Sequence, residues 1–235
     1  WNTKDEGRIW KLDVGAAAGA DMELRSKVQE LLTADFNKMP SGEIMGLLGH
    51  QDQRIRQKAQ FLFVDMGDRI GLKFLRDVAN SPDANQLARI HALWGISQLI
   101  RQGVAESSEL EPFLLDADQE IIAQAAKLIG DVRHAGADAT LIGLLGHPSI
   151  RVRFFAMEAL GRKEVKVAVR PIVNMLREDD GKDTWLRHGG MIALGRIGDA
   201  DAMAELSADP SRNIRLIAVV ALRRMESPAL KSFLY

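Results

Sequence analysis

One phrase of this sequence occurs twice: Gly-Leu-Leu-Gly-His fills residues 46–50 and again residues 143–147. The continuations also match, with Arg54 answering Arg151, Arg56 answering Arg153 and Ala59 answering Ala156. With that alanine as an anchor, similar surroundings recur at Ala59, Ala92, Ala125, Ala156, Gly190 and Ala218, at spacings of 33, 33, 31, 34 and 28 residues. A period in this range marks a chain built from stacked supersecondary units. No other feature restricts the fold as strongly, because a unit of about 30 residues cannot bury its own apolar face and needs neighbours to cover it.

The residues around each anchor define the unit. Seven positions before it stand Asp52, Asn85, Asp118, Ser149, Asp183 and Ser211, all side chains that cap a helix by accepting from its free amides. Four before it come Ile55, Ala88, Ile121, Val152, Leu186 and Ile214, and four after it Phe63, Ile96, Ile129, Leu160, Leu194 and Leu222. That is an apolar stripe at helical spacing, with a small residue at its centre that lets a neighbouring helix approach closely. Apolar-periodic segments such as "IGLKFLRDVA" and "VKVAVRPIVNMLRE" lie between these helices and complete helical hairpins. Gly130, Gly161 and Gly195, five past their anchors, read as helix C-terminal signals, and Gly49 and Gly146 as left-handed residues just past a first helix, with His50 and His147 leading to the next cap.

The expected fold class is all-α, a right-handed α-α superhelix of about six hairpins over residues 43–226, entered through a helix within 21–42. Residues 1–20 read as an extended segment and joint: Ile9, Lys11 and Asp13 alternate with Trp10, Leu12 and Val14 as in a short β-strand, and "GAAAGA" follows. Residues 227–235 read as the start of a further helix, and a first residue that is Trp rather than Met suggests an excised fragment. A net charge of -1 gives no electrostatic reason to expect a nucleic-acid partner. The absence of cysteine removes disulfides, thiolate nucleophiles, Cys-ligated zinc and covalent c-type haem attachment. No apolar run approaches the ~20 residues of a membrane span.

The combination of an Asp or Ser cap, an Arg three before the anchor and a following Ala-Leu-Gly, plain in "HPSIRVRFFAMEALG" and "DTWLRHGGMIALG", resembles HEAT repeats of the type found in phycobilin lyases. With "GRIWKLDV" ahead of "RIRQKAQF", "ARIHALWG" and "NIRLIAVVALRR", the whole chain resembles the middle of a bacterial multidomain oxidoreductase. In that family a sugar-dehydrogenase-like β-propeller precedes the repeats and a haem-binding cytochrome c module follows them. The resemblance implies a non-catalytic, periplasmic or cell-envelope scaffold whose protein partners are those modules, with haem c only in the downstream one and no cofactor in this stretch.

Several groups of residues are candidates for function. Arg56, Arg89, Arg153, Arg187 and Arg215, three before their anchors, sit at the edge of the buried stripe and are expected to form a structural ladder pairing with carboxylates of adjacent repeats. His50, His91, His134, His147 and His188 lack the paired spacing of a metal site. The acidic runs lack calcium-loop spacing, and no nucleophile elbow or phosphate-cradling loop is present. The strongest candidate is the back of the second helices, which lines the concave face in HEAT-like folds. Leu87, Ile90, Trp94, Phe154, Trp185 and His188 fall there, where polar residues are expected, and read as a partner-binding patch. A rival reading is an enzyme resembling HEAT-fold lyases or DNA glycosylases, with Trp185 near Asp183 in the groove. A free-standing adaptor would use the same patch.

Overall fold

A computed structural model describes residues 22–67 and 69–233. The expected strand and joint of residues 1–20 lie outside these described residues. Helix α1 (Met22–Thr33) leads in, and six hairpins follow. Their first elements are α2 (Ser41–Leu47), α4 (Arg69–Asn80), a 3-10 helix (Ser107–Leu115), α7 (Asp138–Leu144), α9 (Val169–Asp179) and α11 (Ala200–Glu205). Their second helices are α3 (Gln53–Asp65), α5 (Gln86–Arg101), α6 (Gln119–Asp131), α8 (Ile150–Arg162), α10 (Thr184–Ile197) and α12 (Arg212–Arg224). The molecule is an α-α superhelix of two layers, in which second helices pack on the next second helix and each first element packs on its own partner.

All six anchor residues are buried, as are the twelve stripe residues four before and four after them. Each cap residue also holds the N-cap position. Asp52, Asn85, Asp118, Asp183 and Ser211 accept from backbone amides two or three residues on. Ser149 differs, its side chain making no cap bond.

The Gly190 anchor brings α10 onto its own first helix: a Cβ there would fall 2.5 Å from Leu176 of α9. The closest approach between repeats lies elsewhere. Gly130 and Gly161 are inside α6 and α8, and a Cβ on either would fall 2.6 Å from the Cα of Ala159 or Ala193 on the next second helix. These glycines are therefore contact points between stacked helices, not stop signals, and the absence of a side chain sets the interaxial distance.

The two ends of the stack are covered. Lys58 donates to the carbonyls of Leu31, Leu32 and Ala34 at 3.1, 2.9 and 2.6 Å, satisfying the open C-terminus of α1. Its ammonium also lies 4.2 Å from the centre of the Phe36 ring. At the other end, the segment expected to begin a further helix forms a 3-10 turn, Pro228–Phe233, against α11 and α12.

Candidate interaction surface

The repeated phrase has a structural meaning different from the one its glycines suggest. Neither Gly49 nor Gly146 is among the positive-φ residues. Gly49 instead makes room for the next repeat: its carbonyl accepts from Asn85 Nδ2 at 3.1 Å, and a Cβ there would lie 2.4 Å from that nitrogen. The histidine is the working residue. His50 Nδ1 accepts from the amide of Asp52 at 3.0 Å, and His147 Nδ1 from that of Ser149 at the same distance. Asp116 and Asp209 do the same for Asp118 and Ser211, both at 2.9 Å. Histidine and aspartate are interchangeable here because only an acceptor two residues before the cap is required.

The arginine ladder completes this turn and does not run as expected. Arg56 donates to the carbonyls of His50 and Gln51 at 2.7 and 2.9 Å. Arg153 reaches the His147 carbonyl, Arg215 those of Asp209 and Pro210, and Arg89 that of Ala79 at 2.8 Å. A side chain in the first turn of a helix points back toward its N-terminus. There it meets the carbonyls that close the preceding element, before any carboxylate of the adjacent repeat. Among the described residues only Arg89 also pairs with a carboxylate of an adjacent repeat, Asp116, while Arg56 Nε reaches His91 of the next repeat. Burial pushes the Asp116 carboxyl up, but the Arg89 guanidinium and the Asp118 amide outweigh it, and the net shift is downward. The Arg187 side chain has no hydrogen-bond or ionic partner among the described residues, and the loop before it passes through two left-handed residues, Asp180 and Gly181.

Pairing between repeats falls to other residues. Arg151 grips Glu120 with Nε at 2.6 Å and Nη2 at 2.9 Å, Arg162 pairs with Asp131, Arg76 with Glu109 and Arg177 with Asp209 at 2.7 Å. The partners stand 31 to 33 residues apart, one repeat.

The six patch residues fall into two places. In the second repeat Leu87 is 41% exposed, but Ile90 is 7% exposed and belongs to the core, a correction to its place in the patch. Trp94 is half-buried, its indole N–H donating to Gln124 Oε1 at 3.0 Å and its ring edge-on to His91 at 4.9 Å between centres. In the fourth and fifth repeats Phe154 and Trp185 share a groove of about 540 Å³ with Ile150, Arg151, Phe155 and Asp183. Trp185 is 72% exposed, and His188 is exposed on the same helix. Arg151 lies 5.0 Å from the centre of the Phe155 ring. The groove is open, mostly apolar and held by two well-packed helices. Asp183, the carboxylate nearest Trp185 in sequence, accepts from the Leu186 amide at 2.8 Å as a cap, which commits one of its oxygens to structure.

Two polar clusters escaped the sequence reading. His91, 2% exposed, accepts from Arg56 Nε at 3.0 Å, so its Nδ1 carries the proton and donates to Gln60 Oε1 at 2.7 Å. Burial, helped by the Arg56 charge, lowers its pKa to about 4. His134 bridges Ser107 Oγ at 2.7 Å and Glu111. The residue types suggest a nucleophile and base, but a Cβ on Gly136 would fall 2.7 Å from His134 Nε2, so the loop itself roofs the ring. The cluster clasps the 3-10 helix to the loop after α6. Residues 107, 111 and 134 carry no spacing that announces it. Among the described residues no group of three or more His, Cys, Asp or Glu side chains is placed to hold a metal ion, and no helix is long and apolar enough to cross a membrane.

Fold and surface together define a helical-repeat solenoid with an open apolar groove. Residues 107–188 match the family model described as HEAT repeats, so this stretch is a HEAT-repeat segment. The match covers the third repeat to the fifth, where second helices meet at Gly130 and Gly161. Among solved structures the chain is similar to an engineered protein from the Northeast Structural Genomics Consortium, with 17% identity and a TM-score of 0.51. That match covers 83% of this chain and 60% of the other. A second engineered protein from the same source shows 15% identity and a TM-score of 0.48, over 80% of this chain and 97% of that one. At such identity the first likeness speaks for the fold alone. No curated protein matches the chain.

Proposed function

We propose that this chain is a non-catalytic HEAT-repeat scaffold within a larger bacterial oxidoreductase of the periplasm or cell envelope. In this reading it holds a dehydrogenase-like propeller and a haem-bearing cytochrome c module in fixed relation. The larger context rests on the resemblance carried by "GRIWKLDV" and the repeat motifs. The scaffold role rests on one observation: a rigid two-layer solenoid presents Trp185, 72% exposed, beside Phe154 and Phe155 in an open apolar groove. Contiguous exposed aromatic surface of this kind is characteristic of partner-binding sites. The enzyme reading is weaker, since the carboxylate next to Trp185 already caps α10.

The test uses the full-length gene product and its separately expressed upstream and downstream modules. Trp185→Gln should leave thermal unfolding unchanged and weaken docking of at least one module about tenfold or more. Trp94→Gln is the poorer probe because that indole is tied to Gln124. Undiminished docking of the Trp185 variant would remove the groove from the scaffold role.

A further inference from the structure

The open face of the last three second helices combines apolar and positive surface in a way that a net charge of -1 conceals. Helices α8, α10 and α12 contain nine arginines and a single acidic residue, Glu158. Glu158 is already bonded to Arg162 at 2.8 Å. Arg153 and Arg215 are committed to loop carbonyls and Arg151 to Glu120. Arg212, Arg223 and Arg224 are exposed, and their side chains have no hydrogen-bond or ionic partner among the described residues.

Arg212 stands at the groove end of α12, and Arg223 and Arg224 at its opposite end. The start of α12 is tied to the loop leading to Trp185, through Ser211 Oγ to Asp180 at 2.9 Å and Asn213 Nδ2 to the Asp180 carbonyl at 2.6 Å. That places Arg212 one helix beyond Trp185, with Leu216, 44% exposed, a turn further on. At the far end of the same helix Arg224 lies across Gly195 of α10, its Cβ and Cδ each 3.3 Å from where a Cβ on that glycine would be. The surface therefore runs from an aromatic groove, with the capping carboxylate of Asp183 at its edge, to exposed guanidinium groups at the far end of α12.

We propose that this face binds an acidic amphipathic segment of a partner protein. An aromatic or long aliphatic side chain of that segment enters the groove between α8 and α10, and its carboxylates meet Arg212, Arg223 and Arg224. Charge complementarity selects this occupant, and the apolar lining with Asp183 at its edge disfavours a phosphate backbone in the groove itself. The inference rests on the scaffold reading and gives its partner a chemistry.

The probe is a fluorescein-labelled synthetic peptide of about twenty residues with Phe and Leu at helical spacing and Glu elsewhere. Its Lys-for-Glu counterpart and a DNA duplex serve as competitors, and binding is followed by polarisation against the intact chain. The acidic peptide should bind, with affinity that falls as salt rises. Trp185→Ala should weaken it at least tenfold. The double variant Arg223→Glu/Arg224→Glu should weaken it similarly and flatten the salt dependence, with thermal unfolding unchanged in both. Leu115→Ala, at a residue 80% exposed on a first element, should have no effect. Equal binding to all variants, no binding of the acidic peptide, or tighter binding of the duplex through the same residues would each overturn the proposal. Peptide binding without docking of the flanking modules would instead break the oxidoreductase context and leave this surface standing.

Discussion

The first three and last three second helices solve the same packing problem with different materials. Helices α3, α5 and α6 carry seven glutamines, and α8, α10 and α12 carry none. The early helices are joined across repeats by polar side chains: Arg56 and Gln60 to His91, Gln60 to Gln98, Trp94 to Gln124. From α6 to α10 the helices come backbone to backbone, Gly130 on Ala159 and Gly161 on Ala193, and Gly195 of α10 meets the Arg224 side chain of α12. A buried polar network fixes register through its satisfied hydrogen bonds and is costly if one partner is lost. Small-residue contact fixes distance through sterics and leaves the open face free for other residues. The late helices use that freedom for aromatics and arginine, so the part of the stack joined through small residues carries the exposed Trp185.

The largest effect that can test this contrast comes from adding one methyl group. Gly161→Ala places a Cβ 2.6 Å from the Cα of Ala193, where backbone has no room to yield, and should cost about 3 kcal/mol by overpacking. Gly143→Ala, where nothing lies within 4 Å, should be neutral or stabilise by up to about 1 kcal/mol through helix propensity. Urea titration of the two variants measures the difference, and equal effects would remove the close-contact argument.

A smaller effect should come from pH and belong to the early helices. His91 has its folded pKa lowered from 6.5 to about 4, so the unfolded chain binds the extra proton first. Its contribution is complete above the unfolded pKa and is lost as pH falls from 6.5 to about 4, amounting to about 2 kcal/mol between pH 7 and pH 5. His91→Gln should flatten that part of the stability profile even if it is less stable at neutral pH. A profile unchanged by the substitution would show that His91 is not the buried neutral group described.

Much of this fold is legible in one dimension. Anchors, caps and stripes recur at fixed offsets, and each offset reports a local helical relation that holds in any context. The readings that failed involve direction or distance between elements. Arg56, Arg153 and Arg215 are expected from sequence to pair with carboxylates of the neighbouring repeat, although their constant six-residue separation from His50, His147 and Asp209 holds the signal of a contact within the same turn. Gly130 and Gly161 stand near helix ends, where glycine as a stop and glycine as a contact look alike until the next helix is placed. The patch suffered similarly. Helical phase put Ile90 and Trp185 on one face, but burial depends on neighbouring side chains, and these enclose Ile90 while leaving Trp185 open. The local excess of arginine was present in the sequence but hidden by a chain-wide charge near zero.

The central claim is that small residues at a fixed period lie inside a stack of paired helices. Because the chain has no cysteine, a single thiol reports on it directly: Ala156→Cys at an anchor and Leu216→Cys on the open face, each treated with a thiol reagent in native buffer after circular dichroism has confirmed the helical fold. The thiol at 216 should react like that of a free peptide, and the one at 156 only through unfolding, slower by about a thousandfold or more. Equal rates at the two positions would place the anchor at the surface and contradict the architecture.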